Sequence, residues 1–121
     1  MGNIPQSHTL KRIYTAHYRY GGDDRIDITV KGNDPDWAPF KPTWEMVMGV
    51  KKGTVSESDY INMYLDIVNK VPVATWDKLL SMEEITLVCF CPQDAFCHRN
   101  ILTRQICMTL SGRVQYIGWR S

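Results

Sequence analysis

The sequence lacks a dominant charge: 14 lysines and arginines stand against 13 acidic residues, for a formal net charge of +1. No strong field points at nucleic acid, an anionic surface or an acidic partner, although a local patch can exist under a neutral total. No apolar run approaches the roughly 20 residues that a membrane-spanning helix needs. Met1 to Leu10 does not have the basic-then-apolar layout of a secretion signal. Internal repeats and low-complexity tracts are absent. These gaps lead to the expectation of a soluble, cytoplasmic protein without a membrane partner. Cysteine is also scarce, with four in the chain. Three fall between positions 89 and 97 and Cys107 follows soon after, whereas a disulfide scaffold would spread them. Reduced thiols in a cytosolic setting are expected, with metal or catalytic use open.

What is present is enough for one core. The 121 residues, 44% hydrophobic and 22% charged, form one expected domain over 1–121. Lys11 to Ala16 reads as a first strand. Arg25 to Val30 alternates, with Ile26, Ile28 and Val30 on one side and Asp27 and Thr29 on the other, which is strand periodicity. The two strands can form a hairpin or lie apart in the sheet. Lys31 to Pro42 holds three prolines and must be loop. Thr43 can cap a short helix, with Gly53 placed to end that region. Ser56 to Asp59 resembles a capping box. Behind it Tyr60, Ile61, Tyr64, Ile67 and Val68 form a helical stripe ended by Pro72. Thr75 to Met82 reads as a further helix capped by Thr75.

Ile85 to Phe90 is a nearly unbroken apolar run, the mark of a strand buried on both faces in a parallel sheet with helices on either side. A helix over His98 to Leu110 and a last strand over Val114 to Trp119 complete a βαβ unit. The expected fold is therefore α/β: a single compact domain with a mostly parallel sheet flanked by helices, Rossmann-like.

Ligands in such sheets bind beyond the carboxyl ends of the strands. The segment Cys89-Phe-Cys91-Pro-Gln-Asp-Ala-Phe-Cys97-His98-Arg99 occupies that place, following a buried strand and opening a helix. Unpaired N–H groups at a helix start favour an anion, and Arg99 adds a positive fork suited to phosphate or carboxylate. Cys97, at the first helical turn near Arg99 and His98, should have a lowered pKa and could be a nucleophile. A small buried residue at a strand–helix junction is the plainer alternative. Asp27 and His98 are acid/base candidates. Cys89, Cys91, His17 and Tyr64 are candidates to line the same pocket, Tyr64 also being a core candidate.

A metal reading takes Cys89, Cys91, Cys97 and His98 as zinc ligands, since sulfur with one imidazole is suitable chemistry. The adjacency of Cys97 and His98 strains a tetrahedron, and no C-x-x-C is present, so no cofactor is expected first and zinc second. Neither Cys91 nor Cys97 has the arginine at the spacing of a phosphatase or rhodanese loop. Trp37, Phe40 and Trp44, with Lys41, Lys51 and Lys52, could stack on and neutralise a nucleic acid, but aromatics beside a proline-rich loop more often tuck it onto the domain.

The pattern Leu87-Val-Cys89 … Cys97-His98-Arg99-x-x-Leu102 resembles the family catalogued as domain of unknown function 488, where a strand ends in cysteine and Cys-His-Arg opens a helix. Ile13-Tyr14-Thr15 and Ile26-Asp27-Ile28 are similar to its first two strands, with Tyr60 and Tyr64 in a plausible middle helix. Two positions depart from it: Thr29 stands where the family often has arginine, and Cys91 where it often has glutamate. The resemblance implies a compact α/β fold with a pocket around Asp27, Cys97, His98 and Arg99, and no agreed activity. The combined expectation is a small anionic or nucleotide-like ligand held by Arg99 and the helix start. The alternative is a metal-binding structural or interaction module.

Overall fold

The computed structural model describes residues 10–121. Four strands, β1 (Lys11–His17), β2 (Arg25–Asp27), β3 (Glu84–Cys89) and β4 (Val114–Arg120), form one sheet in the order β2-β3-β1-β4. Every pairing is parallel, as expected. The helices are α1 (Trp44–Lys52), α2 (Glu57–Asn69), α3 (Val73–Leu80) and α4 (His98–Thr109), with one 3-10 turn at Ala38–Phe40.

The capping chemistry read from the sequence explains most helix ends. Thr43 Oγ1 accepts from Met46 N at 3.1 Å, and Ser56 Oγ accepts from Asp59 N at 3.0 Å. Gly53 closes α1 at φ +80°, a left-handed conformation that costs glycine little. Thr75 is a correction: α3 starts two residues before it, with Pro72 at the N-cap, and Thr75 is buried inside the first turn. Proline suits a helix start because its fixed φ and missing N–H cost nothing there.

The first two strands do not form a hairpin, because β3 lies between β1 and β2. A parallel crossover ordinarily needs a dozen or more residues. Here seven suffice, because β2 enters the sheet only halfway along β3, opposite Thr86. Tyr18 N donates to Cys89 O and Thr86 N donates to Asp24 O, pinning both ends of the connection to β3. β2 also stops earlier than its alternation suggests. Asp27 Oδ1 accepts from Thr29 N at 2.9 Å and from Thr29 Oγ1 at 2.6 Å, a local turn that competes with the ladder.

The two faces of the sheet are covered differently. Ile13, Ile26, Ile85 and Leu87 share one face by register and join one buried cluster with Met46, Tyr64, Leu79, Leu102 and Ile106 from the four helices. The opposite face carries Arg12, Tyr14, Glu84 and Thr86. Its cover comes from side chains: the Arg120 guanidinium lies 3.5 Å from the Tyr14 ring centre. Both faces of β3 are thus buried, with helices accounting for one. Because all strands are parallel, their carboxyl ends lie together, which places His17, Asp27, Cys89 and Arg120 along one end of the sheet.

Candidate metal centre

Three backbone stations bring three sulfurs together. Cys89 is the last residue of β3, Cys91 sits in the turn beyond it, and Cys97 is the N-cap of α4. Their Sγ atoms all lie within 4.8 Å of one another, and Cys89 Sγ and Cys91 Sγ are 4.0 Å apart. The three thiols are free; Cys89 and Cys97 are buried, and Cys91 is half-buried. Cys107, on α4, lies apart from this group and packs against the core.

Thiols this close cannot ionise independently. Cys91 is held well below the ordinary thiol range because Cys89, and then Cys97, hydrogen-bond its charged form; nearby Arg99 and Lys51 add to this and outweigh partial burial. Cys97 is driven the other way, above the ordinary range, by its hydrogen bonds to Cys89 and Cys91 and by burial. The low-pKa thiol expected at Cys97 is therefore found at Cys91. The helix start and Arg99 favour a thiolate in general, but the more solvated sulfur takes the charge and the buried one keeps its proton.

His98 is placed beside the cluster and held there by the backbone. Its Nε2 is 2.6 Å from Ile28 O, which can only accept, so Nε2 carries the proton and Nδ1 is bare. Nδ1 faces Cys97 Sγ at 3.8 Å. Burial lowers the His98 pKa, so the ring is neutral at pH 7. His98 does not join the mutually close donor set, which consists of the three cysteines alone. Tyr64 packs edge-on against the His98 ring, 5.4 Å between centres, and donates its hydroxyl to Phe40 O. It is fully buried and orients His98 from behind.

Arg99 is also fully buried. Its guanidinium donates to Ala16 O (3.2 Å), Cys91 O (3.0 Å) and Pro92 O (2.8 Å). It therefore fastens the Cys91–Pro92 turn to the end of β1. Nε is the one buried side-chain polar atom without a partner among the described residues. The charge of Arg99 reaches Cys91 through space while most of its donors are spent on carbonyls. Asp27 is turned into its own Thr29 bonds. His17, although opposite Cys89 in register, accepts from Arg19 N and lines a separate hollow with Trp119 and Arg120.

The three cysteines and His98 border a cleft of about 320 Å³. Its other walls are residues the sequence reading did not assign to the site. Trp44, Val47, Val50 and Lys51 come from one stripe of α1, and Tyr60 comes from α2. Tyr60 meets Phe96 edge-on at 5.3 Å. The aromatics at Trp44 and Tyr60 were visible as helical residues, but only the packing of α1 and α2 against the strand ends turns them to the cleft.

No family model, no curated protein and no solved structure matches the chain. Among the described residues no helix is long and apolar enough to cross a membrane.

Proposed function

We propose that the protein binds a soft divalent cation, zinc in the first place, through the thiolates of Cys89, Cys91 and Cys97. One observation carries this reading: three sulfurs from three separate backbone stations meet within 4.8 Å. Thiolates around a tetrahedral zinc, each at about 2.3 Å, stand about 3.8 Å apart, close to the Cys89–Cys91 separation. Protons that now hold the cluster together by S–H···S contacts are replaced by the ion. His98 accepts from the Cys97 S–H through its bare Nδ1 only until the metal displaces that proton, and its Nε2–H stays on Ile28 O, so the ring stands beside the three-sulfur group. The likeness to the domain of unknown function 488 family belongs to the same proposal, since Cys89, Cys97, His98 and Arg99 all stand in or against the cluster. A reducing compartment such as the cytoplasm suits three free, ligating thiols.

The test is cobalt or zinc loading of the purified, reduced protein. One equivalent should bind, Co²⁺ should show the intense visible bands of tetrahedral thiolate coordination, and affinity should rise with pH because protons compete for sulfur. Failure to retain either ion against a weak chelator would remove the reading. A second reading, a metal-free enzyme whose nucleophile is the Cys91 thiolate and whose ligand is a small anion, draws support from the depressed Cys91 pKa. Alkylation separates the two: Cys91 should react fast in the metal-free protein, and added zinc should protect it if the metal reading holds.

A further inference from the structure

We infer that the metal centre is an open site whose fourth position takes the carboxylate of a small, flat, apolar-bodied acid seated in the cleft. The inference rests on the metal reading and names what that site would bind. On the protein side the donor set ends at three: no fourth His, Cys, Asp or Glu atom completes the mutually close group among the described residues. His98, the nearest alternative, has its Nε2 on Ile28 O and its Nδ1 3.8 Å from Cys97 Sγ, but it lies outside the group in which all donors are mutually close. Three protein ligands plus an exchangeable position is the arrangement of reactive zinc sites, whereas structural sites are closed by four.

The cleft supplies the rest of the recognition. Its volume of about 320 Å³ lies at the small end of ligand pockets, enough for one ring and an acid group. Trp44, Tyr60, Phe90 and Phe96 line it with aromatic surface, which suits a flat body. Three thiolates and a divalent ion leave one negative charge at the centre, which by itself would repel an acid. Arg99 and Lys51 act on Cys91, and Lys31 also lines the cleft; together they reverse that sign even with Asp27 counted. Tyr60 also lines the cleft, and its phenol is a donor for the second carboxylate oxygen. Lys31, Lys51 and Tyr60 share the cleft with the three sulfurs and serve the acid group, while the aromatic walls serve the body.

The experiment uses the cobalt-loaded protein with benzoate as the probe and benzyl alcohol as its uncharged counterpart. Benzoate should shift the cobalt bands saturably and change the tryptophan fluorescence over the same concentration range, and benzyl alcohol should bind at least about tenfold more weakly. Lys51→Gln, compared at saturating cobalt because its charge also acts on Cys91, should still bind one cobalt while weakening benzoate by about tenfold. Lys51 is exposed, so this variant should fold normally. Cobalt bands that are present but unmoved by benzoate, or moved equally in the Lys51 variant, would overturn the inference and leave the metal reading standing. Absence of cobalt bands before any benzoate is added would overturn the metal reading and the inference with it.

Discussion

Two polar clusters stand on the same strands and are built in opposite ways. On the face away from the helices, Arg12, Asp24, Glu84, Thr86 and Arg120 form a closed network. Arg12 meets Glu84 at 2.8 Å, Arg120 meets Glu84 at 3.1 Å and Asp24 at 3.6 Å, and Tyr20 and Thr86 donate to the Asp24 carboxylate. Charge and donor are matched there, and the network ties β3 to β1, β4 and the loop that follows β1. At the strand ends the three cysteines have mainly each other, and the Cys97 side chain at the N-cap of α4 makes no capping hydrogen bond. A saturated cluster stabilises a fold. A cluster of soft donors this close could hold a metal ion, which is the reading proposed above.

Arg99 fastens the Cys91–Pro92 turn to the end of β1, so its removal should give the largest effect. Arg99→Met leaves the carbonyls of Ala16, Cys91 and Pro92 without their donor and should cost about 3 kcal/mol or more in denaturant unfolding. A loss below about 1 kcal/mol would mean that the turn is held by other contacts. Next comes the cluster itself. On the metal reading, Cys91→Ser removes one of three candidate sulfur ligands and should weaken zinc by about 100-fold or more in a chelator competition. The same variant should unfold within about 1 kcal/mol of wild type without metal, since Cys91 is only half-buried.

The closed network predicts a pH effect. Burial raises the Asp24 pKa, but hydrogen bonds from Thr86 and Tyr20 and the charge of Arg120 outweigh it and leave it below the ordinary carboxylate value. A carboxylate with a depressed folded-state pKa contributes stability above its unfolded value, and that stability is lost as pH falls through the folded value. Wild type should therefore lose stability from about pH 4 downward. Asp24→Asn should start lower at pH 7 and show a shallower acid decline; identical acid limbs would show that the network is silent. The smallest effect is expected at the exposed Lys70–Asp66 pair on α2, 3.0 Å apart. Lys70→Ala should change stability by less than about 0.5 kcal/mol, measured in the same way.

Much of this was legible in the residues because it is set locally. The apolar run at 85–90 gave β3, the helix opening at His98 was marked by the cysteine–turn pattern before it, and Thr43, Ser56 and Gly53 announced their caps. Cys89, Cys91 and Cys97 were visible as candidates through spacing alone. The early end of β2 was not legible, because Asp27 and Thr29 satisfy strand alternation as well as they satisfy a turn. Nor was the burial of Arg99: a sequence displays a charge but not its depth, and its three carbonyl partners lie at residues 16, 91 and 92. His17 lines a different hollow, whereas Tyr64 is the core residue its helical stripe suggests, its ring packed against His98 and its hydroxyl on Phe40 O rather than on the cleft.

By itself the sequence determined an α/β chain, the helix and strand types, and a short segment in which cysteine, histidine and arginine follow a buried strand. These follow from periodicity and capping, which act over a few residues. Tertiary structure alone decided that three sulfurs meet, that Cys91 rather than Cys97 takes the charge, that Arg99 is spent on carbonyls, and that α1 supplies Trp44 and Lys51 to the cleft. Each of these depends on distance and solvent exclusion between segments far apart in the chain, and neither quantity is written in local spacing.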